Sequence, residues 1–267
     1  MKTITMATLK GGAGKTMNCF NIAGVVAENK KVLLIDMDPQ CNLSSNCGID
    51  ISESDKIYTI TEVFDNSPKN QPSPKELITK NPIPELKNLD IIPSNIMLFK
   101  TERNISLKAD RERMLEKYIN KYKEEFEAYD YIFIDTNPSL SYTNVNAFLI
   151  ADEIILSCDV SNNSITGAEL FCALWDEMRE ELSKDDNISA LLISNFDGRS
   201  NLAKDLKDYT KSEEFSRDII LETIISSTVK LKATEIEHKP INILSPKHQA
   251  CTQYRNLVKE LKKRSIL

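Results

Sequence analysis

Short apolar runs alternate with segments of helical periodicity along the chain, and this alternation predicts an α/β protein. Continuous apolar runs of strand length are typical of parallel strands covered on both faces. The predicted strands are residues 2–8, 32–35, 89–93, 131–135, 153–157, 189–194 and 222–225. The predicted helices are residues 16–29, a short helix near 59–64, 96–126 with one or two breaks near residue 104, 166–182, 202–211 and 247–264. Together they predict a doubly wound, mostly parallel sheet flanked by helices.

Length and composition fit one α/β domain. The 267 residues are 41% apolar, so residues 1–267 are expected to form a single domain. The proline-rich residues 67–84 are expected to be a surface excursion with short helices. Because the first predicted strand begins at residue 2, we expect neither a signal peptide nor an N-terminal helix-turn-helix domain. No stretch approaches the roughly 18 apolar residues of a membrane span.

Glycine is concentrated in one place. Three of the seven glycines lie in the segment Lys10-Gly11-Gly12-Ala13-Gly14-Lys15-Thr16, between the first strand and the first helix. Glycine permits positive φ and lets backbone N–H groups approach a ligand. Such a loop before a helix binds phosphate, while Lys15 adds a positive charge and the Thr16 hydroxyl can ligate Mg²⁺. The strict phosphate-loop pattern has glycine at position 9, where this chain has Leu9, and Lys10 is an additional lysine.

Three aspartates follow predicted strands. Asp36 and Asp38 come at the end of the second strand, and Asp135 ends the run Tyr-Ile-Phe-Ile-Asp. Ligands of α/β proteins bind at the carboxyl ends of parallel strands. An apolar run that ends in aspartate, downstream of a phosphate loop, is the Walker B pattern, whose carboxylate holds Mg²⁺ directly or through water. The sequence therefore predicts a magnesium nucleotide site at this edge of the sheet.

These motifs resemble the three signatures of the ParA/Soj partition ATPases, which belong to the deviant Walker A group with MinD and the nitrogenase iron protein. The similar segments are residues 10–16, the Asp-Met-Asp-Pro-Gln-Cys-Asn-Leu-Ser block at 36–44, and the Phe-Ile-Asp-Thr-Asn-Pro-Ser-Leu block at 133–140. Residues 144–154, 195–202 and 238–241 resemble later family segments. The resemblance thus covers nearly the whole chain and is loosest over residues 51–128.

The resemblance implies an ATP-dependent sandwich dimer that hydrolyses ATP with Mg²⁺. Lys10 corresponds to the signature lysine that reaches the partner's nucleotide, and Lys15 to the lysine on the β- and γ-phosphates. Asp38 corresponds to the residue that orients the attacking water. The implied nucleotide-binding residues are Lys10, Gly11, Gly12, Ala13, Gly14, Lys15, Thr16, Met17 and Asn195, with Asn195 at the adenine. The implied metal site is Thr16, Asp36 and Asp135, with Asp36 supporting the metal side.

Two departures affect what the resemblance implies. Met17 stands where the family often has threonine, which removes no phosphate ligand. Residues 225–231 read Ile-Ser-Ser-Thr-Val-Lys-Leu, where the family commonly has Ile-Pro-Arg-Asn-Val-Arg-Leu. This segment usually helps to hold adenine and supplies an arginine to DNA, so neither contact can be transferred directly.

Charge is unevenly distributed. The chain has a net charge of −6, yet residues 227–267 hold nine Lys/Arg against three Glu. A basic end on an acidic body is typical of a patch that meets polyanions. The candidate DNA-binding residues are Lys230, Lys232, Lys247, Arg255 and Lys259, followed by Lys262, Lys263 and Arg264. The alternative is that this segment is only a solvated helix face and a basic tail.

Other members of the group suggest alternative functions. A MinD-like membrane switch would use an apolar stripe of Leu257, Val258, Leu261 and Ile266, although the stripe fits the core face of the last helix better. A nitrogenase-like redox dimer would need paired cysteines, and Cys158 and Cys172 match no such motif. The six cysteines are expected to be free thiols.

The resemblance also implies partners and a location. We expect a cytoplasmic protein that associates with the nucleoid when ATP-bound and does not bind membranes. Its expected partners are a second copy of itself, non-specific DNA and a ParB-type centromere-binding protein that stimulates hydrolysis.

Overall fold

The predicted doubly wound, mostly parallel sheet is confirmed by a computed structural model, which describes residues 1–50, 57–65, 67–196 and 218–267. These residues form a seven-stranded sheet in the order β3-β4-β2-β5-β1-β6-β7. The strands are β1 (Lys2–Ala7), β2 (Val32–Met37), β3 (Thr79–Lys80), β4 (Leu89–Ile92), β5 (Tyr131–Thr136), β6 (Glu153–Cys158) and β7 (Ile188–Ile193). Only β3, an edge strand, pairs antiparallel, with β4.

Strand order and register bring the sequence motifs to one edge of the sheet. Strand β5 lies between β2 and β1, and all three run parallel. Asp135 is in register with Asp36 on one side and with Met6 on the other. The carboxyl ends of these strands are therefore neighbours, at strand spacings of about 4.8 Å.

Helices cover both faces of the sheet, and the central strands bury side chains on each face. Val32 and Leu34 face one core, while Leu33 and Ile35 face the other. The helices are α1 (Lys15–Val26), α2 (Asn42–Asn46), α3 (Ile60–Asp65), α4 (Pro74–Leu77), α5 (Leu98–Ile105), α6 (Met114–Lys121), α7 (Lys123–Glu127), α8 (Tyr142–Ile150), α9 (Asn162–Glu181), α10 (Val229–Ile236), α11 (Ile241–Leu244) and α12 (Gln249–Lys263). In the described part of the chain, no helix is both long and apolar enough to cross a membrane.

Some predicted elements differ from the observed ones. The predicted strand at 222–225 is wrong: these residues form no strand, and isolated parallel bridges lie on either side of them, Leu191 with Ile220 and Phe196 with Ser226. The helical stretch predicted over 96–126 is three helices, α5 to α7, with its main break just after residue 105. Helices α8 and α10 were not predicted. The helix predicted at 202–211 lies outside the described residues.

Candidate functional site

The glycine-rich loop lies between β1 and α1 and is shaped by its glycines. Gly12 and Gly14 have φ of 79° and 85°, in the left-handed region that favours glycine. A Cβ on Gly14 would lie 2.8 Å from the Ser194 hydroxyl oxygen. Helix α1 begins at Lys15 without a side-chain cap, so its first N–H groups remain available to an anion.

Thr16 and Asp135 form the centre of a candidate metal site. The Thr16 hydroxyl donates to Asp135 Oδ2 at 2.6 Å. The other carboxylate oxygen, Oδ1, is buried and has no hydrogen-bond partner among the residues that the structure describes. Burial, followed by the nearby charge of Asp36, raises the pKa of Asp135 well above its usual range. An orphaned carboxylate oxygen beside a threonine hydroxyl is a donor set that suits Mg²⁺.

Lys15 is the cation of this site. Its side chain is almost fully buried, and burial lowers the pKa of its ammonium, while the charges of Asp135 and Asp38 act to raise it. A buried lysine among carboxylates is a compact positive charge in a place where water contributes little screening. The position therefore suits the binding of phosphate oxygens.

Both carboxylate oxygens of Asp36 accept hydrogen bonds from the chain itself. Its Oδ1 accepts from the Asp38 backbone N–H at 3.0 Å, and its Oδ2 accepts from the backbone N–H and the hydroxyl of Ser44 at 2.8 and 2.7 Å. Burial raises the pKa of Asp36 to about 6 although these bonds act to lower it. The geometry makes Asp36 the residue that holds the turn after β2, and so the position of Asp38.

Asp38 lies on the wall of the same cavity as Lys15. Its Oδ1 accepts from the Gln40 backbone N–H at 2.9 Å, which fixes the rotamer. Burial raises the pKa of Asp38, whereas the Lys15 charge acts to lower it. A fixed carboxylate on a cavity wall can orient a water molecule by accepting its proton in a hydrogen bond.

Lys10 is bound within its own chain. Its ammonium donates to Asp159 Oδ2 at 2.6 Å and to the Ser161 hydroxyl at 2.7 Å, at the start of α9. The Lys10 side chain is about one-third exposed, at 31%. Among the described residues that line the cavity, the loop is represented by residues 11–16 and not by Lys10.

The cavity has a volume of about 790 Å³ and extends from the glycine loop to the segment after β7. Asn195 and Met17, both predicted as nucleotide-binding residues, line it, as do residues 225–228, called here the strap. The strap lies beside the end of β7, two to three strand spacings from β1, or roughly 10–15 Å. A loop at one end and a strap at that distance match the two ends of a nucleotide.

Sequence reasoning missed a buried network that supports the loop. Asn18 Nδ2 donates to the Ser194 hydroxyl at 3.1 Å, and Ser194 donates to the Ala13 carbonyl at 3.0 Å. The Tyr254 hydroxyl, on α12, donates to Asn18 Oδ1 at 2.9 Å. No sequence signal connects residues 236 positions apart, although a polar Asn18 in an apolar helix indicates a buried partner.

Glu102, on α5, is a second feature that the sequence did not indicate. One of its carboxylate oxygens accepts from the Asn137 side-chain amide at 3.2 Å and from the Ser141 hydroxyl at 2.6 Å, and it also accepts from Thr143. This oxygen therefore fixes the turn between the Walker B strand and α8.

The predicted DNA-binding residues differ in their availability. Lys230, Lys232, Lys247 and Lys259 are exposed. Arg255 is instead held by Glu28 through two hydrogen bonds of 2.8 and 2.6 Å, and this partly exposed pair ties α12 to the segment just after α1. Arg255 would therefore have to leave Glu28 to contact DNA.

The remaining alternatives find little support in the packing. Leu257, Val258, Leu261 and Ile266 are all buried in the core, as preferred over a membrane stripe. All six cysteines are free thiols, as predicted, and five are buried. Among the described residues, no group of three or more His, Cys, Asp or Glu side chains could hold a metal ion by itself.

Comparison with known proteins identifies the family. A profile of the AAA domain family matches residues 1–189. The chain is 30% identical over 268 residues to the chromosome partitioning protein ParA of Myxococcus xanthus, covering 98% of this chain and 88% of that protein. It is 28% identical to the sporulation initiation inhibitor protein Soj of Bacillus subtilis, covering 97% and 98% of the two chains.

A solved structure agrees with these relatives. The crystal structure of a plasmid partition protein from Borrelia burgdorferi, bound to AMPPNP, superposes with a TM-score of 0.76 at 27% identity and covers 98% of this chain and 99% of the other. The matched span contains the glycine loop and both aspartate motifs. The chain belongs to the ParA/Soj family of deviant Walker A P-loop ATPases.

Proposed function

We propose that this protein is a ParA-type ATPase that partitions DNA, with ATP and Mg²⁺ as its cofactors. The observation that carries the proposal is the pairing of the Thr16 hydroxyl with an Asp135 carboxylate whose second oxygen is buried and unpartnered, beside the buried Lys15. The structure of the partition protein from Borrelia burgdorferi with AMPPNP bound supports the proposal that the ligand of this cavity is a nucleotide.

The chain's own residues divide the work of hydrolysis. The loop N–H groups and Lys15 bind the phosphates, and Thr16 with Asp135 holds the metal. Bound Mg²⁺ supplies charge neutralisation at the β- and γ-phosphates. Asp38 orients the attacking water, and Asp36 keeps Asp38 in place. No arginine lies in the motifs, so basal turnover is expected to be slow.

Dimerisation is proposed to complete the site. Lys10 would contribute a second cation to the partner's nucleotide, which requires it to leave Asp159 and Ser161. A partly exposed ion pair of this kind stabilises by about 1 kcal/mol or less, whereas a charge-assisted bond to phosphate in a closed interface is stronger. ATP in the partner would therefore favour the exchange, and the protein would cycle between monomer and ATP dimer.

The basic C-terminal segment is proposed to bind non-specific DNA. The exposed lysines Lys230 and Lys232 lie on α10, Lys247 lies just before α12 and Lys259 lies on α12, and a dimer doubles their number. A few phosphate contacts for each subunit would give weak binding that falls steeply with salt. A ParB-type partner is proposed to stimulate hydrolysis, and the ATP dimer is proposed to occupy the nucleoid within the cytoplasm.

DNA binding is tested by retention on non-specific duplex DNA at several salt concentrations, with ATP, with ADP and without nucleotide. We expect the protein to be retained with ATP, but not with ADP or without nucleotide. For Lys259→Ala, we expect retention to fall less steeply as the salt concentration rises. Lys87→Ala is the matched control, because Lys87 is exposed, lies outside the basic segment and changes the net charge equally. Retention that ignores nucleotide and salt would contradict the proposal.

A further inference from the structure

The strap at the far end of the nucleotide cavity is held by one side chain of the last helix. The Ser226 backbone N–H donates to Gln253 Oε1 at 3.2 Å, and Gln253 Nε2 donates back to the Ser226 hydroxyl at 2.9 Å. Gln253 lies on α12 and does not line the cavity, whereas Ser226 does. The amide thus fixes the wall of the cavity from behind.

The strap also makes backbone contacts with β7 and the residues after it. The Ile225 N–H donates to the Ile193 carbonyl at 3.0 Å, the Ser227 N–H to the Phe196 carbonyl at 2.7 Å, and the Phe196 N–H to the Ile225 carbonyl at 3.3 Å. The pairing of Phe196 with Ser226 is an isolated bridge and not part of a ladder. The Ser226 backbone N–H donates to Gln253 and not to β7, so the two Gln253 bonds add to the order of the strap at its centre.

The next residue of the same helix holds the opposite end of the cavity. The fully buried Tyr254 donates to Asn18, which connects through Ser194 to the Ala13 carbonyl of the glycine loop. Two consecutive residues of α12 therefore support the two ends of one cavity, Gln253 the strap and Tyr254 the loop. Neither is part of a family signature quoted above.

We infer that Gln253 and Tyr254 are positioning residues, through which helix α12 sets nucleotide affinity separately at the base end and at the phosphate end of the cavity. This inference rests on the proposed function, since it takes the occupant to be a nucleoside triphosphate. A preorganised wall binds more tightly because the ligand does not have to order it. Loss of the Gln253 amide lowers affinity without removing a residue from the cavity wall, and loss of the Tyr254 hydroxyl removes only the bond to Asn18 and leaves the ring of Tyr254 on that wall.

The two ends can be separated by two probes in calorimetry with Mg²⁺. AMPPNP occupies both ends, whereas inorganic tripolyphosphate lacks a base and occupies only the loop end. Gln253→Ala removes two hydrogen bonds and is expected to weaken AMPPNP about tenfold, with the affinity for tripolyphosphate unchanged. Tyr254→Phe is expected to weaken both probes, because it removes the hydrogen bond that Asn18 Oδ1 accepts and so loosens the Asn18 side chain that reaches Ser194.

Rescue and control variants exclude a general structural effect. Gln253→Glu is expected to bind AMPPNP like the parental chain, because its carboxylate accepts from the Ser226 N–H and the Ser226 hydroxyl can reverse and donate. Asn256→Ala, exposed on the same helix, is the matched control and leaves both affinities unchanged. If Tyr254→Phe does not fold, Ser194→Ala interrupts the same chain of hydrogen bonds and is expected to weaken both probes.

The outcomes separate the inference from the function on which it rests. Parental binding of AMPPNP together with an unaltered affinity of Gln253→Ala would overturn the inference alone. Equal losses of AMPPNP and tripolyphosphate in Gln253→Ala would overturn it as well, since the strap would not act at the base end. A parental chain that bound neither probe would overturn the proposed ATPase and the inference together.

Discussion

Gly14→Ala tests the geometry of the glycine loop most sharply, because the structure gives two separate costs at this position. The φ of 85° places alanine in the left-handed region, which costs roughly 1–2 kcal/mol. The added Cβ would also lie 2.8 Å from the Ser194 hydroxyl oxygen, so Ser194 has to rotate away. Rotation breaks its bonds with Ala13 and Asn18, each worth about 1 kcal/mol.

Together these costs predict a loss of about 3–4 kcal/mol in the free energy of unfolding. For a chain of this size, 1 kcal/mol shifts the melting temperature by roughly 2–4 °C, so Gly14→Ala is expected to melt about 6–16 °C lower. Thermal denaturation followed by circular dichroism measures the shift. ATP affinity is expected to fall as well, because the loop no longer holds its N–H groups toward the ligand.

Gly11→Ala is the matched control. A Cβ on Gly11 would meet nothing within 4 Å, and its φ is not positive, so its melting temperature is expected to stay within about 2 °C of the parental one. In a Ser194→Ala background the clash is relieved, and Gly14→Ala is expected to cost only the roughly 1–2 kcal/mol of backbone strain. Equal melting temperatures for Gly14→Ala and Gly11→Ala would show that neither the positive φ at position 14 nor the contact with Ser194 restricts the side chain there.

Three further variants or measurements test individual residues. Lys15→Ala is expected to weaken ATP binding at least 100-fold in calorimetry, since it removes the buried cation of the site; unchanged affinity would exclude the loop assignment. Asp38→Ala is expected to bind ATP like the parental chain and to hydrolyse it at least tenfold more slowly in a phosphate-release assay. A mutant with parental turnover would show that another group orients the water. Native protein is expected to react slowly with a thiol-specific disulfide reagent, and first at Cys172, because five thiols are buried and burial raises the pKa of Cys172 to about 12. Rapid titration of all six would contradict the packing.

Much of the fold could be predicted from sequence because strand identity is a local property. The apolar runs that became β2 and β5 are buried on both faces, and their length and position were correct to within two residues. Residues 222–225, Glu-Thr-Ile-Ile, also contain β-branched residues but form no strand. Their partner is a strand edge set by the tertiary fold, which no local pattern encodes.

The residues of the candidate site could be predicted where they lie close together in the sequence, within short motifs. The loop, Thr16 and Asp135 came from motifs whose spacing follows from phosphate and Mg²⁺ chemistry. The prediction that Asp36 supports the metal side stays a prediction, and the sequence did not indicate that Asp36 Oδ1 accepts from the Asp38 N–H and Oδ2 from Ser44 on α2. The role of Tyr254 was invisible in the sequence, because its hydrogen bond to Asn18 joins two helices far apart in the chain.

The pairing of Lys10 with Asp159 and Ser161 bears directly on whether ATP acts as a dimerising ligand. Dimerisation by ATP requires Lys10 to exchange this pairing for the partner's nucleotide. It is tested by light scattering on the Asp38→Ala chain with ATP and Mg²⁺, beside the same chain carrying Lys10→Ala. We predict twice the monomer mass for the first and the monomer mass for the second, with equal ATP binding by both. An ATP dimer that persisted in the chain with Lys10→Ala would show that Lys10 is not needed for dimerisation. A monomer of the Asp38→Ala chain in saturating ATP would show that ATP is not a dimerising ligand.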